Sequence, residues 1–379
     1  MTRLRQPTIQ QEPLLASEKR LLGLLFRRGA LTQNQLADLT GLTQQSVSRL
    51  ASNLIGRGCV LEGEKRPSGK RGYPSASLVL APEYAVSAGL ALLGDVVALT
   101  ICDFAGNVLE TQTTPMIAVT QDAVLGWLDD ALPGAMQRVA HARPLIGLGV
   151  GIAGSFIGDQ PGFNTPFYLN DWAGVDIEAI FAGRYGLTVL ADNNGNTAAL
   201  AEAMTGVGKW ADSFAYLTIS AGVGGGVILN GELWRGRHGN AGEFAGGLPS
   251  NIYPFPNLEL LRRLVVRDGL HEFQTVTEMV EYYDPNWPAI DEWIARVRDS
   301  FSIIASNATA ILDLDAVVFG GQMPRDLAER VIAVIELYDQ KRRAVPRPMA
   351  RLVPAEAEGN ATALGAAILP LQKAYFSHP

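Results

Sequence analysis

After Pro82 the chain alternates between apolar segments of strand length and segments with helical spacing, and this order limits the possible folds more than any other feature. Segments 145–152, 214–220 and 316–321 are typical of buried strands, and glycine lies at or just after the end of each. Such alternation predicts an α/β fold. Because glycine-rich strand ends are typical of phosphate and sugar sites, we expect a ligand near these ends.

The most polar of the strand ends is the sequence DNNGNT at 192–197. Polar groups at the carboxyl end of a strand usually face a ligand. The amides of Asn193 and Asn194 donate and accept hydrogen bonds, but they have no pKa near neutrality. This strand end therefore predicts a binding site that lacks a general base.

The first eighty residues have a different pattern, with three helical segments in succession. In the second, Thr32 is followed by Gln35 at the spacing of a capping box. The turn 40–42 contains Gly41, and Thr43 can cap the third helix. Two helices joined by a short glycine turn predict a helix–turn–helix.

The solvent face of the third helix carries amides, hydroxyls and an arginine, and no acidic residue. These groups suit base edges and phosphates, and a helix of this kind is available for the major groove. An ordinary three-helix bundle with a polar face is the alternative. The predicted DNA-binding residues of this helix are Thr43, Gln44, Gln45, Ser46, Ser48, Arg49 and Asn53.

Segments 59–62 and 77–80 can pair as a hairpin around a Gly/Pro-rich basic loop. A basic hairpin after a helix–turn–helix is a wing, so we predict that Lys70 and Arg71 contact DNA. The charge distribution agrees, since residues 1–80 hold 12 Lys and Arg against 5 Asp and Glu while the whole chain has a net charge of −7. A basic head on an acidic body indicates a polyanionic partner for the head.

Several other classes of protein are disfavoured. The sequence has no charge-free apolar run long enough for a membrane span, and its first residues lack the apolar core of a secretory signal. Cys59 and Cys102 are too few for a disulfide framework or a cysteine-based zinc site. We therefore expect a cytoplasmic protein with no membrane partner.

The body resembles the ROK family of repressors and sugar kinases. This resemblance implies a two-lobed actin-like ATPase fold behind the winged helix–turn–helix. The expected domains are 1–80 for the DNA-binding head, 81–192 for the first lobe and 193–379 for the second, with the last helix a candidate to pack back on the first lobe. The resemblance rests on IGLGVGIAGSF (146–156), LNDWAGVDI (169–177), ADNNGNTAALAE (191–202), 217–246, AVVFGGQM (316–323) and TALGAA (362–367).

Departures from the family pattern affect catalysis. Family kinases carry an Asp-x-Gly-Gly-Thr phosphate loop, but here Ala91 takes the place of the Asp and 93–95 reads Leu-Gly-Asp. Ser220 begins the second phosphate loop, and Asn194 replaces the catalytic aspartate. A general base typically contributes about 10²–10⁴-fold to the rate. The departures imply that ATP binding and sugar phosphorylation are lost.

The family zinc site is also expected to be absent. The resemblance places a zinc-binding histidine at Gly246, and the following residues contain no cysteine. No substitute set of metal ligands is visible among the four histidines, so no metal or other cofactor is predicted. His238 is expected to be a hydrogen-bonding loop residue.

Part of a sugar site is retained. By resemblance, Asn193 and Glu243 accept hydrogen bonds from sugar hydroxyls, and Asn194 can hold the hydroxyl that a kinase would activate. Trp172 and Trp234 either shape the cleft or belong to the core. Gly320 and Gly321 match adenosine-side glycines, although close strand-to-helix packing explains them as well.

Taken together, the sequence predicts a dimeric or tetrameric transcriptional regulator. It would bind operator DNA and respond to a sugar without phosphorylating it, as a repressor of sugar-utilisation genes. One alternative is an active ATP-dependent sugar kinase with an added DNA-binding head. Another is a regulator whose body no longer binds any sugar.

Overall fold

The computed structural model of the protein describes residues 13–66, 75–140, 143–158, 160–269, 271–339, 345 and 347–376. These residues form a helical N-terminal head with a small sheet, followed by two lobes that each contain a five-stranded sheet. The predicted mixed α/β fold class is confirmed.

Helices and strands alternate along the body, as the sequence pattern after Pro82 predicts. No helix in the described part of the chain has the length and apolarity needed to cross a membrane. The helices are α1 (Ala16–Arg28), α2 (Gln33–Thr40), α3 (Gln44–Gly56), α4 (Gln121–Val139), α5 (Ile177–Tyr185), α6 (Asn194–Thr205), α7 (Leu258–Arg267), α8 (Val276–Glu281), α9 (Pro288–Leu312), α10 (Arg325–Ile332) and α11 (Ala361–Tyr375). The strands are β1 (Leu31–Thr32), β2 (Val60–Arg66), β3 (Ser75–Leu80), β4 (Val86–Leu92), β5 (Val96–Asp103), β6 (Val108–Pro115), β7 (Leu145–Ile152), β8 (Ser155–Phe156), β9 (Phe163–Asn164), β10 (Val189–Asn193), β11 (Phe214–Ile219), β12 (Val223–Leu229), β13 (Glu232–Trp234), β14 (Ala316–Gly321) and β15 (Arg351–Pro354).

The head begins with three helices whose ends the sequence specifies. Thr32 caps α2, and the Gln35 side chain accepts a hydrogen bond from the Thr32 backbone N–H at 2.8 Å. Gly41 ends α2 in the left-handed conformation, with φ of 70°, which costs glycine little. Thr43 then caps α3, whose apolar side is buried on the other helices. The predicted helix–turn–helix is present.

A three-stranded sheet completes the head, in the order β1-β3-β2. Strands β2 and β3 form an antiparallel hairpin with Val60 opposite Leu80. The hairpin therefore follows α3 as a wing. Its tip, which includes Lys70 and Arg71, lies outside the described residues.

The sheet of the first lobe has the strand order β10-β7-β4-β5-β6. Strands β4, β5 and β6 form an antiparallel meander, while β7 and β10 run parallel to β4. Strands β4 and β5 are buried along their whole length, because helices cover both faces of the sheet. Parallel strands β7 and β10 thus carry their carboxyl ends to one edge of the lobe.

The second lobe repeats this arrangement with the order β13-β12-β11-β14-β15. Its core contains the long helix α9, in which Trp293 and Phe301 are fully buried. The tract 258–313 consists of three helices. It breaks near Gly269, where φ is 70°, and again before Pro288 at the start of α9. Left-handed glycine and proline both oppose helix continuation.

Helices α6 and α11 pack closely against each other next to the first sheet. A Cβ added at Gly365 of α11 would overlap the carbonyl oxygen of Thr197 in α6. Likewise, a Cβ at Gly149 of β7 would overlap the carbonyl oxygen of Ala366 in α11. Glycine at these crossings permits the close approach of two backbones. The last helix therefore packs against the first lobe.

The head is joined to the body through α1. The rings of Phe26 and Phe376 lie 4.6 Å apart, and Phe376 also contacts Phe104 at 5.5 Å. Gly106 lies under Phe26 with φ of 84°, and a Cβ there would be 2.6 Å from the Phe26 Cζ. Asp212 forms ion pairs with two arginines of α1, with Arg27 at 3.6 Å and with Arg28 at 3.3 Å. This apolar and charged interface continues the core of the head into the body.

Candidate functional site

The outer face of α3 exposes most of the predicted DNA-binding side chains. None of the side chains of Gln44, Gln45, Arg49 and Asn53 makes a hydrogen bond or ion pair within the described residues. The opposite face, with Val47, Leu50, Ala51 and Leu54, is buried in the head. The amides and the guanidinium are therefore free to meet an external partner.

Thr43 and Ser46 are engaged at the start of α3. The Thr43 Oγ1 accepts a hydrogen bond from the Ser46 backbone N–H at 3.2 Å, and the two hydroxyls lie 2.9 Å apart. They fix the first turn of the helix and still lie at its exposed end. Ser48 is exposed, whereas the predicted contacts Lys70 and Arg71 lie outside the described residues.

The end of β10 forms the polar centre of the body. Asp192 is buried, and one of its oxygens accepts from the Asn193 N–H at 2.8 Å and from the Asn196 Nδ2 at 2.7 Å. The other accepts from the Nε and Nη2 of Arg235 in the second lobe at 3.0 Å and 2.6 Å. Four donors thus satisfy this carboxylate, which joins the two lobes.

Asn193 is the cap of α6. Its side-chain oxygen accepts from the Gly195 and Asn196 N–H groups at 2.7 Å and 3.4 Å, and its Nδ2 donates to the Gly154 carbonyl at 2.5 Å. These bonds explain why α6 begins at Asn194. One Nδ2 proton remains for a ligand.

Asn194 lies one residue farther on, in the wall of a cavity of about 440 Å³. Its side chain makes no hydrogen bond within the described residues. The cavity also includes the segments predicted to match the two phosphate loops, represented by Asp95 and Ser220. The structure therefore brings Asn194 together with both segments around one space of small-molecule size.

Asn193 and Glu243 do not line this cavity. However, a Cβ at Gly195, beside Asn194, and a Cβ at Gly242, beside Glu243, would each overlap the same Gly225 carbonyl oxygen. The start of α6 and the loop that carries Glu243 are thus packed on one strand residue. Asn194 and Glu243 lie in neighbouring parts of the cleft.

Glu243 begins the short 3₁₀ segment Phe244–Gly247 and is exposed. Its carboxylate has no hydrogen-bond partner within the described residues, and desolvation by the surrounding protein raises its pKa above the ordinary value. A carboxylate of this kind is a hydrogen-bond acceptor without a resident donor. It is therefore suited to a hydroxyl-bearing ligand.

The residues at the family zinc position do not fit a metal ion. Gly246 has no side chain that could bind a metal, and within the described ranges no group of three or more His, Cys, Asp and Glu side chains could hold one. The segment that follows is bound instead to α9, because Ser300 donates to the Pro254 carbonyl at 2.7 Å and Trp293 Nε1 to the Asn257 carbonyl at 2.9 Å.

The two tryptophans considered for the cleft have different environments. Trp172 is fully buried, stacks on Phe181 at 5.8 Å and donates its Nε1 proton to the Val119 carbonyl at 2.7 Å. It is a core residue. Trp234 is 55 % exposed, so core packing does not explain it.

Several cavity residues carry no recognisable signal in the sequence. Tyr168 is 48 % exposed and lies over Gly94, since a Cβ at that glycine would be 3.1 Å from the tyrosine ring. Thr218 and Gln322 contribute from β11 and from the end of β14. Their positions depend on how distant segments pack, which spacing alone does not specify.

Comparison with known proteins gives two family matches. Residues 87–250 match the model of the ROK family, and residues 13–72 match that of the MarR family. The xylose repressor of Bacillus subtilis is 27 % identical over 60 % of this chain and 59 % of its own length.

Solved structures are similar over a larger part of the chain. A ROK family transcriptional regulator, described as a homologue of the E. coli MLC protein, covers 95 % of this chain and 95 % of its own, at 18 % identity and a TM-score of 0.66. A ROK family glucokinase from Streptomyces griseus, in complex with glucose and AMPPNP, covers 75 % of this chain and 99 % of its own, at 21 % identity and a TM-score of 0.61. Head and body thus have the fold of a ROK regulator, and the body alone has that of a ROK kinase. The chain combines a ROK family domain of actin-like fold with an N-terminal winged helix of the MarR type.

Proposed function

We propose that the protein is a sequence-specific DNA-binding transcriptional regulator, a repressor of sugar-utilisation genes whose body senses a sugar without phosphorylating it. The observation that carries the proposal is the exposed, acid-free face of α3 on a winged helix that is packed onto a ROK body. The similarity to a protein named xylose repressor supports it. We place its action in the cytoplasm.

On the DNA side, α3 enters the major groove. Arg49 can pair with guanine or a phosphate, and the amides of Gln44, Gln45 and Asn53 suit adenine edges. Lys70 and Arg71 follow the backbone or enter the minor groove from the tip of the wing. A homodimer or tetramer would place two heads on two half-sites, as helix–turn–helix regulators commonly do.

On the sugar side, Asn194 and Glu243 hold hydroxyl groups, and Asn193 contributes its remaining amide proton. Phosphoryl transfer needs a base for the attacking hydroxyl and a phosphate site that tolerates negative charge. Asn194 is not a base, and Asp95 places a carboxylate in the cavity where phosphates would approach. These features favour sensing over catalysis.

Helices α6 and α11 provide a physical route from the cleft to the head. Each begins at the cavity, where Asn194 and Asn360 lie in its wall. Each also reaches α1, because Phe376, just beyond α11, contacts Phe26, and α6 packs on α1 near Met204. A sugar that draws the lobes together would tilt both helices and change the separation of the heads. A coupling free energy of about 1–3 kcal/mol changes operator occupancy by about 5–150-fold.

The test is titration of a fluorescent DNA fragment from the region upstream of the protein's own coding sequence, at fixed low salt. We expect specific binding by the wild type, and at least about tenfold weaker binding by Arg49→Ala, because a good base contact contributes about 1–3 kcal/mol. Arg298→Ala is the matched control, since it removes an exposed arginine of the body whose ion-pair partner within the described residues is Asp299 alone. Absence of binding by the wild type would refute the proposal.

Two assays address the alternatives. An ADP-release assay over a sugar panel tests the kinase hypothesis, and sustained turnover that Glu243→Gln abolishes would establish an enzyme. Calorimetry with monosaccharides tests whether the body binds any sugar. A regulator that binds DNA but no sugar would fit a body that responds to another partner or only maintains the oligomer.

A further inference from the structure

A chain of hydrogen bonds beside the cavity at Asn194 joins the two lobes, and it begins and ends at residues of the cavity wall. Thr277 of α8 donates its hydroxyl proton to the Asp95 Oδ1 at 2.8 Å, and Gln322 Nε2 donates to the Thr277 Oγ1 at 2.8 Å. Asp95 lies in the turn between β4 and β5, whereas Thr277 and Gln322 belong to the second lobe. A phosphate placed at this turn would have to displace the bonds.

The charges around the cavity also oppose an anion. Among the described residues, the charged groups in its wall are Asp95 and Glu259, and no Lys, Arg or His lines it. Glu259 is already neutralised, since it accepts hydrogen bonds from Arg262 at 2.7 Å and Arg263 at 2.9 Å. Asp95 has no Lys, Arg or His partner within the described residues. Two like charges at close range in a protein cleft repel each other strongly.

Two helices begin at the cavity, and helix N-termini often attract phosphates. Here three of the N–H groups in their first turns are already bonded. Gly195 and Asn196 donate to the Asn193 side chain, and Ala363 donates to the Asn360 side chain at 3.0 Å. These three N–H groups donate to the capping side chains and are therefore not available to a phosphate.

The rest of the wall suits a neutral, hydroxylated molecule. Asn194 and Ser220 offer amide and hydroxyl groups, and neither side chain is hydrogen-bonded within the described residues. Thr218 is buried in the same wall, and its hydroxyl has no partner in the described part of the chain. The ring of Tyr168 adds an apolar surface with a polar tip.

We propose that this cavity binds a hydroxylated ligand that carries no phosphate or carboxylate group, and that Asp95 is the residue that excludes anionic ligands. The space that holds ATP phosphates in a kinase would then belong to the effector site. The inference rests on the proposed function in treating the body as a sensor, but it requires no DNA binding. It extends the site beyond Asn193, Asn194 and Glu243.

The test compares pairs of probes that differ only in phosphate, by thermal shift and calorimetry on the intact protein without DNA. The pairs are glucose with glucose 6-phosphate and adenosine with ATP, the latter with and without Mg²⁺, alongside a panel of neutral pentoses, hexoses and disaccharides. A bound ligand raises the melting temperature by mass action. We expect a neutral sugar to bind, and its phosphorylated partner to bind at least about tenfold more weakly.

Two results would overturn the inference. One is a phosphorylated probe, including MgATP, that binds as tightly as its neutral partner or more tightly. The other is a complete absence of binding across the neutral panel. Either result leaves the DNA titration untouched, so failure of this inference is distinguishable from failure of the proposed function.

Two variants separate the effect of the Asp95 charge from that of the hydrogen bond between Thr277 and Asp95. Asp95→Asn keeps an acceptor for Thr277 but removes the charge, so the preference for the neutral probe should fall by at least about threefold. Thr277→Val removes the hydrogen bond and keeps the charge, so the preference should persist. Glu281→Gln, an exposed acid at the end of α8, is the control and should change nothing. An unchanged preference in Asp95→Asn would contradict the role given to Asp95.

Discussion

Helix α3 and the end of β10 contain similar side chains, but they use them differently. On α3 the amides and the arginine are exposed and have no partners within the described residues. At the end of β10 and the start of α6, Asp192, Asn193 and Asn196 are buried and hydrogen-bonded to one another, leaving Asn194 as the amide that faces the cavity. A polar motif therefore indicates a ligand site only where its groups are not already used by the protein.

The largest effect on stability is expected from breaking the buried hydrogen bonds at the end of β10. Asp192→Ala should lower the free energy of unfolding by about 3 kcal/mol, because two buried donors lose their acceptor and Arg235 loses its ion pair. Urea denaturation measures this change. Asp299→Ala, which removes only an exposed ion pair, should stay within about 0.5 kcal/mol of the wild type. If Asp192→Ala lowers the free energy of unfolding by less than about 1 kcal/mol, the hydrogen bonds of Asp192 do not contribute the stability that we assign to them.

A second prediction tests whether the interior of the head excludes water as well as the interior of the body does. Burial raises the pKa of Cys59 in the head to about 11 and that of Cys102 in the body to about 12. Above pH 9 the unfolded thiols lose their protons first, so the unfolded state is favoured as the pH rises. Each thiol should cost about 2–3 kcal/mol of stability by pH 11.

The measurement is urea denaturation between pH 8 and pH 11 for the wild type, Cys59→Ala and Cys102→Ala. Each variant should show a shallower decline with pH than the wild type. If only Cys102→Ala does so, the interior of the head is more open to water than that of the body.

The smallest expected change in stability distinguishes the roles of the adjacent residues Asn193 and Asn194. Asn193→Ala should cost about 1 kcal/mol of stability because α6 loses its cap, and Asn193→Ser should restore most of it. Asn194→Ala should change stability by less than about 0.5 kcal/mol but abolish sugar binding. Thermal melts with and without the sugar distinguish these roles. Equal loss of stability in both variants would remove the distinction between scaffold and ligand-facing amide.

Local signals were sufficient to predict much of the head. Thr32, Gly41 and Thr43 specify where α2 and α3 begin and end, because caps and left-handed glycines act within one helical turn. In the body, the alternation of strands and helices predicted the α/β fold class, and the family motifs led us to expect a ligand at Asn194, which lies in the wall of a cavity.

Other features depended on contacts between distant segments. Asp95 and Thr277 are separated by 182 residues, and nothing in either local sequence indicates their hydrogen bond. The role of Asn193 as the cap of α6 was not predicted, because its side chain was considered only as a ligand group. Sequence spacing does not show which polar groups the fold will use internally.

The contact between Phe26 and Gly106 has a consequence for protein engineering. The Phe26 ring of the head packs on Gly106 of the body, where a side chain would occupy the same space. Phe376 of the body also contacts this ring. A chimaera that carried a foreign DNA-binding domain on this body would have to bring its own ring of matching size. Without such a ring, the foreign domain would be attached to the body only by the linking chain. A movement of α11 caused by ligand binding in the cleft would then not reach the DNA-binding domain.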